Sequence, residues 1–483
     1  MQDLSRRALM GVGAATVAAA STTARSARVS DAKSLVLPPP MKTRFLAMLA
    51  SRQMPAVAIA LVKDGAPLLI DSLGQASIPF GVAATNQTLF HIGSASKQFT
   101  AAAVLRLAQE GRIGLDDPIG AHARDLPPNL ASLPIRALLS HTSGAVDYAA
   151  LAGNPEFGVD RPMERKAFLA AIGPLKPDFG PGEAWDYSNT GYVLLGYLIA
   201  DVTGRSYSDV VTDELLRGAK LSEARVDDAP ALIANRAEPY ALKGGVLRHE
   251  VMMDGAYSAS ADGAVLMSAT DAARWEIALQ SGSPISSDVL RQMTSPVMLS
   301  TGRGSAYGFG WFTDQCRGRV VNYHSGSVPG YLAFYLRLPT ERIGAMVMTN
   351  VGSGAAAAGI TTMAQELVEY ALPGSTYLSL SPVPDAEPAL TAQARNMLSR
   401  GRSALDPALF APEIARPLNG RAGQEAEPPN LTARHPMDAF DLVEVFDEGT
   451  GIVRRYRAAV GADVHYWAFA YTPDRKIFRF RPI

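Results

Sequence analysis

Apolar and polar positions alternate along the chain with two different periods. Ala56 to Asp71 (AVAIALVKDGAPLLID) is a pair of short apolar runs meeting at Lys63-Asp64-Gly65, a turn signal, and it predicts a β-hairpin. From Gln98 to Glu110 apolar residues occur nearly all round a helical projection and stop at Gly111, which predicts a buried helix ended by glycine. A second apolar helix is predicted over Val193 to Val202, entered from the turn-rich loop Phe179 to Tyr192 (FGPGEAWDYSNTGY). Tyr331 to Asn350 reads as strand, turn, strand, and Ala355 to Leu372 as a closing helix. Strands at both ends of a long helical middle predict an α+β sandwich whose sheet is assembled from the two ends of this unit.

Proline punctuates the pattern at Leu37-Pro38-Pro39-Pro40 and again over Ser381 to Pro388, and both segments read as linkers. They set off a main unit at 36–375 from a C-terminal unit at 389–483. In the latter, Leu390 to Gly401 reads as a helix, with strands around Phe440 to Phe446, Gly451 to Val460, Val464 to Tyr471 and Lys476 to Arg481. His465, Trp467, Phe469 and Tyr471 alternate along one of these strands, an aromatic face read as the unit's own core. At the other end, Ser5-Arg6-Arg7 precedes a weakly apolar run, Ala8 to Ala20, and then Ser21, Thr22, Thr23 and Ala24. That is the form of an export signal of the twin-arginine type over residues 1–30, so the mature chain is expected in the periplasm of a bacterial cell envelope.

Charge and composition narrow the function classes. With 45 Lys+Arg against 46 Asp+Glu, the formal net charge of −1 offers no electrostatic footprint for nucleic acid or anionic lipid. The lone Cys316 has no partner for an internal disulfide or a thiolate metal cluster. No G-x-S-x-G elbow, H-E-x-x-H pair, phosphate loop or dinucleotide fingerprint is present, so no cofactor is implied. The expected partner is a small-molecule or short-peptide substrate, without nucleic acid or a membrane span, and a homodimer is compatible with the sequence.

The chemistry gathers in three places. Gly93-Ser94-Ala95-Ser96-Lys97 stands directly ahead of the buried helix, so Ser94 and Lys97 lie one turn apart on one face. A lysine taken out of water loses its proton more readily and can serve as a base toward a serine hydroxyl. Tyr187 and Asn189 stand two apart where the turn-rich loop meets the second helix; a phenol there can shuttle a proton, and an amide can hold both a lysine and a substrate carbonyl. Tyr323-His324-Ser325-Gly326-Ser327 precedes the strand at Tyr331, where a strand edge can present backbone N–H groups to an acyl group. His141, in LLSHTSG at 138–144, reads as a structural turn or cap residue.

Taken in this order, the three elements resemble the serine β-lactamase and penicillin-binding-protein superfamily, in its class C-like branch of D-aminopeptidases, D,D-peptidases and lipase-like esterases. The resemblance covers residues 40 to 372. It implies an antiparallel sheet flanked by helices beside an all-helical region, with the active site between them. It further implies that Ser94 is the acylated nucleophile and that Lys97 and Tyr187 share the base role. Asn189 would orient substrate and lysine, the backbone N–H groups of Ser94 and Ser327 would form the oxyanion hole, and Tyr148 would sit beside the acyl side chain. His324-Ser325-Gly326 stands where β-lactamases and many D,D-peptidases carry K-T-G. An imidazole, largely uncharged at neutral pH, thus replaces a fixed ammonium, and recognition of a β-lactam or a free D-Ala carboxylate should suffer. The resemblance therefore favours hydrolysis of a small amide or ester, with a D-amino-acid-containing or peptidoglycan-derived peptide as the leading substrate. An esterase, a weak class C-like β-lactamase and a non-catalytic envelope receptor are the alternatives. The C-terminal unit resembles the cystatin-like and nuclear-transport-factor-like domains appended to some members; it could cap the site, dimerise or bind a wall fragment.

Overall fold

Residue size on the two faces of one strand sets the layering. In the strand Ala56–Lys63, Ala56, Ala58, Ala60 and Val62 turn to one side, and Val57, Ile59 and Leu61 to the other, all of them buried. The small residues join a core with the helices Lys97–Gln109, Asn189–Thr203 and Ala269–Ser281, while the larger ones join a core with Pro39–Ser51 and Gly354–Ala371. The strand is thus covered by helices on both faces, which is why it reads as one continuous apolar run. Its hairpin partner, Ala66–Ser77, follows a two-residue turn with Asp64 at φ +53° and Gly65 at φ +75°, the left-handed pair a tight hairpin requires.

The computed structural model describes residues 35–151, 164–227, 231–250, 260–414, 430–433, 435–461 and 463–483. The export signal expected at 1–30 lies outside the described residues. Seven antiparallel strands form the main sheet, in the order Val82–Ala83, Ala66–Ser77, Ala56–Lys63, Ile343–Thr349, Tyr331–Leu338, Arg319–Val328, Phe312–Cys316. Strands from the two ends of the unit meet where Ala56–Lys63 pairs with Ile343–Thr349, as the pattern predicted. The fold is the expected mixed α/β one, an antiparallel sheet flanked by helices with a smaller sheet at the C-terminus. Among the described residues no helix is long and apolar enough to cross a membrane.

One expectation is corrected. Leu37-Pro38-Pro39-Pro40 is no linker: Leu37 is buried, its N–H donates to Asp71 Oδ2, and Pro39 and Pro40 open the helix Pro39–Ser51. Proline suits the first turn of a helix because the N–H it lacks has no intrahelical acceptor there. The segment at 381–388 runs outside regular structure until Pro388, the first residue of the helix Pro388–Arg400.

That helix packs Leu390, Ala394, Met397 and Leu398 against Trp467, Phe469 and Tyr471 of a four-stranded antiparallel sheet (Met437–Asp447, Ile452–Val460, Asp463–Tyr471, Ile477–Pro482). The opposite face, through Tyr466, Ala468 and Ala470, joins the core on the outer side of the main sheet. Ions complete this joint. Arg455 is fully buried, pairs with Asp314 at 3.0 Å and with Glu444, and Arg481 reaches the same Asp314 at 3.2 Å. Burial alone would raise the Asp314 carboxyl, but the guanidinium groups of Arg455 and Arg481 prevail and hold it below the ordinary range. Removing one member of such a cluster strands the others without water. Arg455→Met should therefore cost about 3–5 kcal/mol in chemical denaturation; a loss under about 1 kcal/mol would mean that the ions do not secure the joint.

Candidate active site

Two glycines bring the nucleophile turn and the sheet edge together. Gly93 has φ +51°, and a Cβ on it would lie 2.6 Å from the backbone nitrogen of Ser327. A Cβ on Gly326 would lie 1.8 Å from the carbonyl oxygen of Ile92. Side chains at either position would force the strand Arg319–Val328 off the 3-10 turn Gly93–Ser96 that carries Ser94. The glycine of H-S-G is thus a spacing device, and through it the Ser327 N–H reaches the Ser94 turn.

The turn runs straight into the helix Lys97–Gln109, which places Lys97 on the same side as Ser94 and leaves it without solvent exposure. Three acceptors meet its Nζ: Ser94 Oγ at 3.1 Å, Asn189 Oδ1 at 2.7 Å and the main-chain oxygen of Asp262 at 2.7 Å. Ser96 is used differently, since its Oγ accepts the N–H of Val265 and anchors the segment that carries Asp262. Asn189 opens the helix Asn189–Thr203, whose cap is Ser188, with the Ser188 Oγ accepting the N–H of Gly191. The Asn189 N–H donates to the Asp147 carboxylate.

Tyr187 lies over the lysine, its ring centroid 4.8 Å from Nζ. It is positioned by His141, which sits at φ +58° and is buried. The His141 carbonyl accepts the Asp186 N–H, its Nδ1 accepts the Ser188 N–H at 3.1 Å, and its ring packs against Tyr187 in a tilted contact with centroids 4.2 Å apart. His141 is thus structural, as read from the sequence, but what it shapes is the loop holding Tyr187.

His324 is buried, with Nδ1 2.6 Å from the Ser325 carbonyl oxygen and Nε2 3.0 Å from the Tyr307 hydroxyl. A carbonyl only accepts, so Nδ1 carries the proton and Nε2 receives the Tyr307 O–H. Burial, with Lys97 adding to it, depresses the imidazole to about 3, against a smaller opposing effect of the Ser325 bond. His324 is therefore neutral across the physiological range.

Tyr148 is buried and donates to Asp262 Oδ2 at 2.7 Å, and Ser260 donates to the other Asp262 oxygen. Because the same Asp262 offers its carbonyl to Lys97, Tyr148 is tied to the lysine through a single residue. Ser94, Tyr148, Tyr187, Asn189, His324 and Ser327 all line one cavity of about 530 Å³; Lys97 lies behind Ser94, and Gly326 acts by contact. Sequence reasoning missed Asp262 and Tyr307, and also Arg479 and Arg481 on the C-terminal strand Ile477–Pro482, which line the far side of this cavity. Only the aromatic-rich run Tyr307 to Phe312 carried any local signal of them.

A family model described as Beta-lactamase matches residues 41–369. Penicillin-binding protein 4* of Bacillus subtilis (strain 168) is 31% identical over 309 residues, covering 60% of this chain and 67% of that protein. Protein flp of Staphylococcus aureus (strain MW2) is 30% identical over 311 residues, 62% of this chain, which thus spans 60% of that relative's length. Among solved structures, an octameric penicillin-binding protein homologue from Pyrococcus abyssi aligns over 90% of this chain and 93% of its own, with 22% identity and a TM-score of 0.60. The D-amino acid amidase from Ochrobactrum anthropi SV3 aligns over 69% and 99%, with 23% identity and a TM-score of 0.58. At these identities the likeness to solved structures is one of fold.

Three buried imidazoles link stability to pH. Burial depresses His91 and His324 to about 3 and His141 well below its ordinary value, so all three are neutral when folded. Unfolding lets them bind protons below about pH 6.5, where the unfolded state holds more protons than the folded one. Their contribution is fully present above that pH and falls by about 1.4 kcal/mol per pH unit for each imidazole as the pH drops toward the folded values. Urea denaturation at pH 8.5, 7.5 and 5.5 should show these imidazoles adding almost no change over the first interval and a fall in stability over the second; no fall over the second would contradict these neutral states.

Proposed function

The chain belongs to the beta-lactamase family, and from that premise we propose that it is a serine hydrolase cleaving a small amide or ester through an acyl-enzyme on Ser94. The observation that carries this reading is the contact of Lys97 Nζ with Ser94 Oγ at 3.1 Å, made by a lysine with no exposure to solvent. Lys97 Nζ donates to Asn189 and Asp262 and, once it has released its third proton, can turn its lone pair to the Ser94 hydroxyl and take that proton as Oγ attacks the substrate carbonyl. Tyr187, whose ring centroid is 4.8 Å from Nζ, is the second proton carrier: its phenol can give its proton to the leaving amine or alkoxide and regain one from Lys97. The N–H groups of Ser94 and Ser327 receive the developing oxyanion, and Asn189 has its amide nitrogen left for the substrate. Water then attacks the acyl-enzyme by the reverse proton path.

The neutral His324 favours substrates without a carboxylate at the position that K-T-G serves. The D-amino acid amidase and penicillin-binding likenesses support an amide with a D-residue as the leading substrate, with simple esters as the alternative. We also propose export through the signal at 1–30, which places the hydrolase in the periplasm.

Ser94→Ala should abolish turnover of p-nitrophenyl esters and D-Ala-p-nitroanilide with the circular dichroism spectrum unchanged, and Lys97→Met should lower kcat by about 10²–10⁴-fold. Retained turnover in folded Ser94→Ala would reject the reading. Restoring a cation with His324→Lys should shift kcat/KM toward carboxylate-bearing β-lactams relative to esters; an unchanged ratio would remove His324 from substrate recognition.

A further inference from the structure

The cavity in front of Ser94 does not end at the main sheet. Part of its wall comes from the C-terminal strands, where Trp467, Phe478 and Phe480 line it together with Trp185 and Phe312 of the main unit; Trp467 and Phe478 are otherwise buried. We propose that this wall is the binding site for a large, uncharged, apolar group of the substrate, aromatic in size, so that the C-terminal sheet sets the specificity of the hydrolase. The proposal rests on the hydrolase reading above and names the substrate class of that site.

Continuity is the first support: Ser94 and Phe480 line one cavity of about 530 Å³, within the size range of small-molecule sites. Rigidity is the second. Trp185 and Phe312 have ring centroids 6.0 Å apart, and the Arg481 guanidinium stands 5.9 Å from the Phe312 ring. Arg303 and Arg479 each place a guanidinium 5.4 Å from the Phe478 ring. The rim loop between Leu299 and Ser305 is held from the C-terminal side, by the pair of Arg303 with Glu413 and by Arg479 Nη1 donating to the Gly304 carbonyl at 3.0 Å. A rigid aromatic surface loses little entropy on binding an apolar group.

Charge is the third support, and it selects the kind of occupant. Arg479 and Arg481 line the cavity, yet each is already paired, Arg479 with Glu448 and Arg481 with Asp314. Arg303 is paired in turn with Glu413. An incoming carboxylate would have to compete with protein carboxylates for these guanidinium groups, and His324 offers no charge in compensation. An apolar group only displaces water from the rings.

The test compares three esters of one leaving group: p-nitrophenyl acetate, phenylacetate and hemisuccinate. The native chain should favour phenylacetate over acetate at least tenfold in kcat/KM and disfavour the hemisuccinate. Phe480→Ala and Trp185→Ala should each lower the phenylacetate-to-acetate ratio at least fivefold, with thermal melts reporting that the fold survives. Acetate turnover without a phenylacetate preference would overturn the proposal, as would a ratio unmoved in both variants. Preference for the hemisuccinate would assign the wall to a carboxylate instead and equally overturn it. Absence of acetate turnover in the folded native chain would be a failure of the hydrolase reading itself, distinguishable from these.

Discussion

Lys97 held wholly out of water is the constraint on which the rest of the centre depends. An amine so placed is tolerable only when its hydrogen-bonding positions are filled, because each unmet polar group in a dry interior costs about as much as a lost hydrogen bond. Ser94, Asn189 and Asp262 fill them, and each arrives from a different part of the chain. Fixing those three in turn demands the close approach at Gly93 and Gly326, the cap at Ser188 and the clamp of His141 on the Asp186 to Ser188 loop. The packing of the sheet and helices thus determines where the lysine stands and which group its nitrogen can act upon.

How much of this was legible in the sequence follows the range over which each feature is encoded. Ser94 and Lys97 were readable because one helical turn fixes their relation, and Asn189 because it stands at a recognisable helix start. The hairpin at Asp64 and Gly65 was readable for the same reason, its dihedral demands being local. Asp262 was invisible because it serves Lys97 through a main-chain carbonyl, which every residue possesses. The influence of His141 on Tyr187 spans 46 positions of sequence (187 − 141) and rests on a left-handed backbone that nothing nearby in the sequence announces. Pro38 to Pro40 misled because proline marks both linkers and helix starts, and only the burial of Leu37 separates the two.

The C-terminal sheet shows the same limit at larger scale. Its aromatic face was legible as an alternation, and it does form a core with the helix Pro388–Arg400. Its second face, docked on the main sheet through Arg455, Asp314 and Arg481, was not, since an arginine in a strand reads as solvent-facing until its partner is known. That docking places the strand Ile477–Pro482 at the catalytic cavity, so an ion cluster that includes the cavity-lining Arg481 helps to define the space in front of Ser94.

The central claim, that the buried lysine makes Ser94 a nucleophile, is tested most directly by intact-mass spectrometry of the chain quenched during reaction with a p-nitrophenyl ester, followed by peptide mapping. The account predicts a single added acyl group on the peptide bearing Ser94, and none on Ser94→Ala or, at matched times, on Lys97→Met. A folded native chain that gains no mass would contradict it, and so would an acyl group mapped to any other residue.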